Sequence, residues 1–137
     1  MRNTEQISLT LYDYPRSSAA YRVRIALNLK GLQYQSKRVN LLESEEASDE
    51  YKLLNPQGLV PALLVREAGR GDVVLTQSLA ICEYLDELKP TPTILHQDAL
   101  AKARIRSFVQ LICSDIHPLN NLRVLNYLED ELSVNKE

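Results

Sequence analysis

The sequence has only two cysteines, Cys82 and Cys113, and no Cys-x-x-Cys pair. Far apart and each inside a helical pattern, they read as buried structural thiols in a reducing cytoplasm rather than as a disulfide. An excess of charge of one sign is also missing. Sixteen Lys and Arg against 18 Asp and Glu leave a net charge of −2, which gives no reason to expect nucleic acid or an anionic membrane as partner. No apolar run approaches the length of a membrane span. Met1–Gln6 lacks the apolar stretch of a signal peptide, and there is no internal repeat or low-complexity tract. What is present is a 137-residue chain with 45% hydrophobic and 25% charged residues. That is the make-up of a soluble globular protein with one domain, or a small domain plus part of another.

Read in order, Ile7, Leu9 and Leu11 alternate with polar neighbours, as a strand requires. After a break at Asp13–Arg16, Ala20, Val23 and Leu27 mark one face of a helix that Gly31 stops. Tyr34–Val39 is polar on both faces and reads as an edge strand. Asn40–Leu54 is acidic and irregular, with a short helix around Glu50, Tyr51 and Leu54. Asn55-Pro56-Gln57-Gly58 is a turn, followed by a strand over Leu59–Val65 with a proline near its start. Glu67–Asp72 reads as a hairpin loop leading to a strand at Val73–Leu75. Thr76-Gln77-Ser78 opens a helix carrying Ile81, Tyr84, Leu85 and Leu88, which ends at Lys89–Pro92.

The order βαβ-ββα, with a proline before the third strand, predicts an α/β thioredoxin-like domain over 1–89. A linker at 90–97 and an all-α part from Asp98, an N-cap, to 137 follow. In that part Ile105, Phe108, Val109, Ile112 and Ile116 form a stripe that Pro118 must break or kink, and Leu122, Leu125, Leu128 and Leu132 form a second. Two amphipathic helices cannot bury both faces on one another, so this part reads as an incomplete domain.

The chemistry centres on the start of the first helix. In a thioredoxin-like domain two cysteines at that point would make a disulfide oxidoreductase; here the residues are Ser17 and Ser18. A hydroxyl there, with a helix N-terminus behind it, suits a thiolate brought by a ligand. Lowering a thiol pKa from ~8.5 by about two units needs roughly 2.7 kcal/mol, the order that one charged hydrogen bond and a helix dipole supply. Plain helix capping explains the same serines. Val60-Pro61 is a candidate cis peptide that would offer strand-like hydrogen bonds to an extended ligand, although most X-Pro bonds are trans. Gln77-Ser78 suits a carboxylate at a helix start or another cap. Arg16 suits an anionic substrate or open solvent.

Tyr14–Gly31, Asn55–Leu63, Thr76–Ile81 and Asp115–Leu125 together resemble the motifs of zeta-class glutathione transferases, bacterial maleylacetoacetate and maleylpyruvate isomerases among them. Four ordered matches spread along nearly the whole chain are more specific than any one of them. The resemblance implies that glutathione is the cofactor and that Val60-Pro61 is cis. It implies Ser17 on the glutathione sulfur, Ser18 supporting the helix start, Val60 on the cysteinyl backbone, and Gln77 and Ser78 on the γ-glutamyl end. Gln57, Asp115, His117 and Asn121 are implied as further contacts; on its own, His117 before Pro118 reads as a helix-end cap.

The implied reaction isomerises a small-molecule maleyl substrate, maleylacetoacetate to fumarylacetoacetate in tyrosine and phenylalanine breakdown. It proceeds by thiolate addition, bond rotation and elimination, with Arg16 on a substrate carboxylate and no metal. Maleylpyruvate isomerisation, general glutathione transfer and a non-catalytic glutathione-binding or dimerising module are the alternatives. A homodimer in the cytoplasm, with neither nucleic acid nor membrane as partner, completes the expectation. The sequence departs from the family at Ala19, where many relatives carry cysteine, at Pro15, where an aromatic is usual, and around Glu46, which is acidic. It is also short, since relatives continue through several more helices.

Overall fold

The computed structural model describes residues 7–134; the expectation for Met1–Gln6 falls outside them. The chain divides into two compact units, with the boundary between Ile94 and Leu95.

The first unit is a four-stranded sheet in the order β2-β1-β3-β4. Strand β1 (Ile7–Asp13) runs into helix α1 (Ser18–Leu29), and β2 (Gln35–Arg38) returns parallel to β1. Two short 3-10 turns and helix α2 (Asp49–Leu54) lead to β3 (Ala62–Glu67), which pairs antiparallel with β1 and with β4 (Gly71–Thr76). Helix α3 (Ser78–Leu88) closes the unit. This is the expected βαβ-ββα order. As predicted, β2 is an edge strand, and all four of its residues are exposed.

Leu9 and Leu11 from β1, Val23, Ala26 and Leu27 from α1, Leu63 and Val65 from β3, and Ile81 and Leu85 from α3 form one buried cluster. The period-2 residues of the strands and the period-3.6 residues of the helices meet there, on a single side of the sheet. Gly31 ends α1 as expected. Its φ of +56° follows the C-cap Lys30, and N–H bonds run from Gly31 to the Asn28 oxygen and from Leu32 to the Leu27 oxygen, both 3.0 Å. Those two bonds satisfy carbonyls that the helix end would otherwise leave open.

Several boundaries differ from the sequence reading. β3 begins at Ala62 rather than Leu59, because Pro61 cannot donate to the ladder. The hairpin loop is shorter than Glu67–Asp72: Glu67 pairs with Gly71, and Arg66 meets Asp72 across the strands at 2.9 Å. Gly69 and Gly71, at φ +84° and +74°, make the tight turn. Thr91-Pro92 is cis as well as Val60-Pro61. Neither cysteine is in a disulfide, both are half-buried rather than buried, and Cys82 packs on the core.

Lys30 has no counterpart in the sequence reading. It is 1% exposed. Its Nζ is in contact with the Asp86 carboxylate and the Pro92 carbonyl, and donates to the Lys89 carbonyl at 2.8 Å. Asp86 also accepts from the Ile94 N–H at 2.7 Å. One ammonium thus ties the end of α1 to α3 and to the segment that follows it.

The second unit holds α4 (Ala99–Gln110), a wide π-type turn (Leu111–Ile116) and α5 (Leu122–Asp130). Asp98 caps α4 as predicted, accepting from the Ala101 N–H at 2.8 Å. The helical run stops just before Pro118, as expected, and its last turn is wide: the His117 N–H reaches back to the Ile112 oxygen at 2.9 Å. No residue of these three elements is buried, which fits two amphipathic stripes without a third layer.

Candidate functional site

Strand register sets the site in the first unit. Tyr12 pairs with Ala62, and Ala62 with Thr76. The chain segments just beyond these three residues therefore leave one end of the sheet side by side. They are the Asp13–Ser17 loop, the Val60-Pro61 bond and Gln77-Ser78.

Ser17 is the N-cap of α1, with extended backbone and Oγ accepting from the Ala20 N–H at 3.2 Å. The capping reading is therefore correct. It does not exclude the other, since a hydroxyl that accepts through one lone pair keeps its O–H to donate. Ser18 is the first helical residue, and Arg16, one residue before the cap, is exposed. The loop that aims Ser17 is braced by Asp13, which is 5% exposed. Arg24 Nη1 lies 2.6 Å from both Asp13 oxygens, and its Nη2 donates to the Pro15 carbonyl at 2.9 Å. The Ser17 N–H closes the turn onto the Tyr14 oxygen at 2.9 Å.

Val60-Pro61 is cis, as the family resemblance implied and base rates alone would not. The carbonyl just before it is held twice: Leu59 oxygen accepts from Tyr51 Oη at 2.8 Å and from Asn55 Nδ2 at 2.7 Å. Burial, the largest influence, pushes the Tyr51 phenol up to about 12, so it stays a donor at neutral pH. Gly58 sits at φ +59°, and a Cβ there would lie 3.0 Å from the Glu46 oxygen, so no side chain fits. Held on both sides, the Val60 N–H and C=O have no hydrogen-bond partner among the described residues.

Gln77 adopts φ 66° and makes no side-chain cap; its Nε2 donates to Gln57 Oε1 at 3.0 Å. The capping alternative for Gln77-Ser78 is therefore not realised. Ser78 is 6% exposed, and its Oγ accepts from Arg22 Nε at 3.1 Å and Nη2 at 3.0 Å. Ser17, Ser18, Arg16, Gln57, Val60, Gln77 and Ser78 all belong to this unit.

Asp115, His117 and Asn121 lie in the second unit. Asp115 is exposed in the π-type turn, and the His117 backbone is used in closing that turn. Asn121 caps α5: its Oδ1 accepts from the Val124 N–H at 3.2 Å, and its Nδ2 donates to the His117 and Pro118 carbonyls at 3.1 and 2.8 Å. Among the described residues no group of three His, Cys, Asp or Glu side chains is arranged to hold a metal.

The sequence reading missed Asp13, Arg22, Arg24 and Tyr51 as site-building residues. For the charged three no local pattern distinguishes a residue that braces a loop from one facing solvent. Asn55 was within reach, because an Asn before Pro-x-Gly commonly closes a turn through its side chain; its Oδ1 accepts from the Gln57 N–H at 3.1 Å.

Comparison with known proteins agrees with this geometry. The chain is 52% identical over 122 residues to the maleylacetoacetate isomerase of Pseudomonas aeruginosa, covering 88% of this chain and 56% of that one. A bacterial maleyl pyruvate isomerase described as a zeta-class glutathione S-transferase superimposes with a TM-score of 0.83 at 44% identity, over 92% of this chain and 57% of that one. The maleylacetoacetate isomerase of Anaeromyxobacter dehalogenans, solved with GSH in its active site, gives a TM-score of 0.81 at 40% identity, over 93% and 58%. The chain spans about 60% of the length of the curated relatives it matches. The model of the glutathione S-transferase N-terminal domain matches residues 7–87, from the first residue of β1 almost to the end of α3. With more than half of its length in that match, the chain belongs to the glutathione S-transferase family.

Proposed function

We propose that this chain binds glutathione and works as a glutathione-dependent cis-trans isomerase of maleyl compounds, with maleylacetoacetate as the preferred substrate. The observation that carries the reading is the convergence, at one sheet end, of three polar groups with unused hydrogen-bonding capacity: the Ser17 O–H, the Val60 amide and the buried Ser78 hydroxyl. Their chemistry fits a short γ-linked peptide with a thiol, which offers a sulfur, a backbone amide and a carboxylate to such a set. When bound, glutathione supplies the thiolate that adds to the cis double bond and leaves again after rotation.

The chain's own residues do the rest. Ser17 donates its hydroxyl proton toward the sulfur, a charged hydrogen bond contributing about 1.5–3 kcal/mol. The first N–H groups of α1 add the positive end of the dipole. Val60 fixes the extended backbone through N–H and C=O, and Ser78 donates to the carboxylate. Arg16, exposed beside Ser17, is assigned to a substrate carboxylate. Gln57 and Gln77 form the exposed rim beside the γ-glutamyl group, and Asp115 and His117 are assigned to further contacts. Asn121, whose amide caps α5, is assigned a supporting role for that turn. Homodimeric assembly and a cytoplasmic setting belong to the same proposal.

The 137-residue chain with glutathione and a maleyl substrate should consume the cis form, and Ser17→Ala should lower the rate by about a hundredfold. Glutathione binding without turnover would select the second reading, a glutathione-binding module. That reading is favoured by the second unit, whose helices bury no residue.

A further inference from the structure

Helices α1 and α3 touch through a seam in which one residue acts twice. The Arg22 carbonyl accepts from Cys82 Sγ at 3.8 Å. Its guanidinium reaches one turn further toward the α3 start, placing Nε and Nη2 at 3.1 and 3.0 Å from Ser78 Oγ. Ser78 is 6% exposed, and its O–H finds no acceptor among the described residues.

A hydroxyl has two lone pairs and one proton, and a guanidinium only donates. Two cationic donors on Oγ occupy its accepting side, so the proton must point away from Arg22. An uncommitted serine at a helix start would accept from an ammonium as readily as it donates to a carboxylate. With Arg22 behind it, only donation remains, and the charge of Arg22 polarises the O–H further.

We propose that Arg22 is a positioning residue that makes the Ser78 hydroxyl an obligate donor, so that the start of α3 selects a carboxylate. This rests on the glutathione reading above, in which the carboxylate is that of the γ-glutamyl group. Arg22 touches the ligand nowhere in this scheme; it acts through Ser78.

The test measures binding of two ligands to the full chain by calorimetry: glutathione, and 4-aminobutyryl-cysteinyl-glycine, which lacks the γ-glutamyl carboxylate. The wild type should prefer glutathione by about tenfold or more, the range of one charged hydrogen bond. Arg22→Met should remove most of that preference by weakening glutathione alone. Ser78→Ala should do the same, and adding Arg22→Met to Ser78→Ala should change the preference no further. Arg22→Lys, with a single donor group, should keep part of it and serves if Arg22→Met fails to fold.

Equal weakening of both ligands by the Arg22 variants would show a merely structural role and overturn the proposal. So would unchanged glutathione binding, or additive losses in the double variant. Failure of the wild type to bind glutathione would instead overturn the glutathione reading, and the proposal with it.

Discussion

The two units use the same local signals to opposite effect. Ser17 caps α1, Asp98 caps α4 and Asn121 caps α5, each through a side-chain oxygen on a backbone N–H three residues on. Apolar residues recur at helical spacing in all three. Yet among the described residues every buried hydrophobic one lies between Leu9 and Leu88, while Phe108, Leu111, Ile116 and Leu125 are exposed. Caps and periodicity say where a helix starts and which face is apolar. Only a second layer decides whether that face is removed from water. The first unit has a sheet to supply it; the second has only helices of its own.

The sharpest test removes the buried cation of the first unit. Lys30→Met should cost about 3–5 kcal/mol in urea unfolding, because the Asp86 carboxylate and the Lys89 and Pro92 carbonyls lose the ammonium they share. A cost below about 1 kcal/mol would mean that the tie is not structural.

Leu63→Ala, at a fully buried position of β3, should cost about 2–5 kcal/mol. Phe108→Ala, at 65% exposure in α4, should stay within about 0.5 kcal/mol. Comparable losses from the two would dissolve the contrast between the units.

The caps should be equal where the cores are not. Ser17→Ala and Asn121→Ala should each cost about 1 kcal/mol of helix stability by circular dichroism and unfolding, but Ser17→Ala should weaken the chemistry far more than Asn121→Ala does.

The last effect is confined to alkaline pH and vanishes at neutrality. Tyr51 ionises at about 12 in the fold against an ordinary 10.0. Between those values the unfolded chain loses the proton while the folded chain keeps it, so stability falls as pH rises through that window. Below pH 10 the group contributes no slope. Tyr51→Phe should remove that part of the alkaline loss, read as the unfolding midpoint against pH.

Much of the first unit could be read from its residues because its signals are local: alternation in β1, the Gly31 stop, Asn-Pro-Gln-Gly before β3. The serines at the α1 start were equally visible, though their residue types alone fit a cap as well as a thiolate site. The Val60-Pro61 isomer followed from family resemblance and not from local chemistry. What stayed hidden depends on pairs distant in sequence. Lys30 with Asp86 and Arg22 with Ser78 each join positions 56 residues apart, and a charged residue on a helix is by default a solvent-facing one. The π-type turn before Pro118 was hidden for another reason: proline announces a break but not which preceding turn will absorb it.

The Ala68–Arg70 turn has a practical consequence. It joins β3 and β4 at the end of the sheet opposite Ser17, Val60 and Ser78, because the register that aligns Tyr12, Ala62 and Thr76 carries Ile7 and Glu67 to the far edge. Gly69 and Gly71 hold positive φ that a side chain would strain, whereas Ala68, at the start of the turn, is exposed. The chain contains no tryptophan, so an indole grafted at this tip would be the sole one in the molecule. Its emission would report on unfolding of the hairpin without disturbing the end of the sheet where a ligand is held.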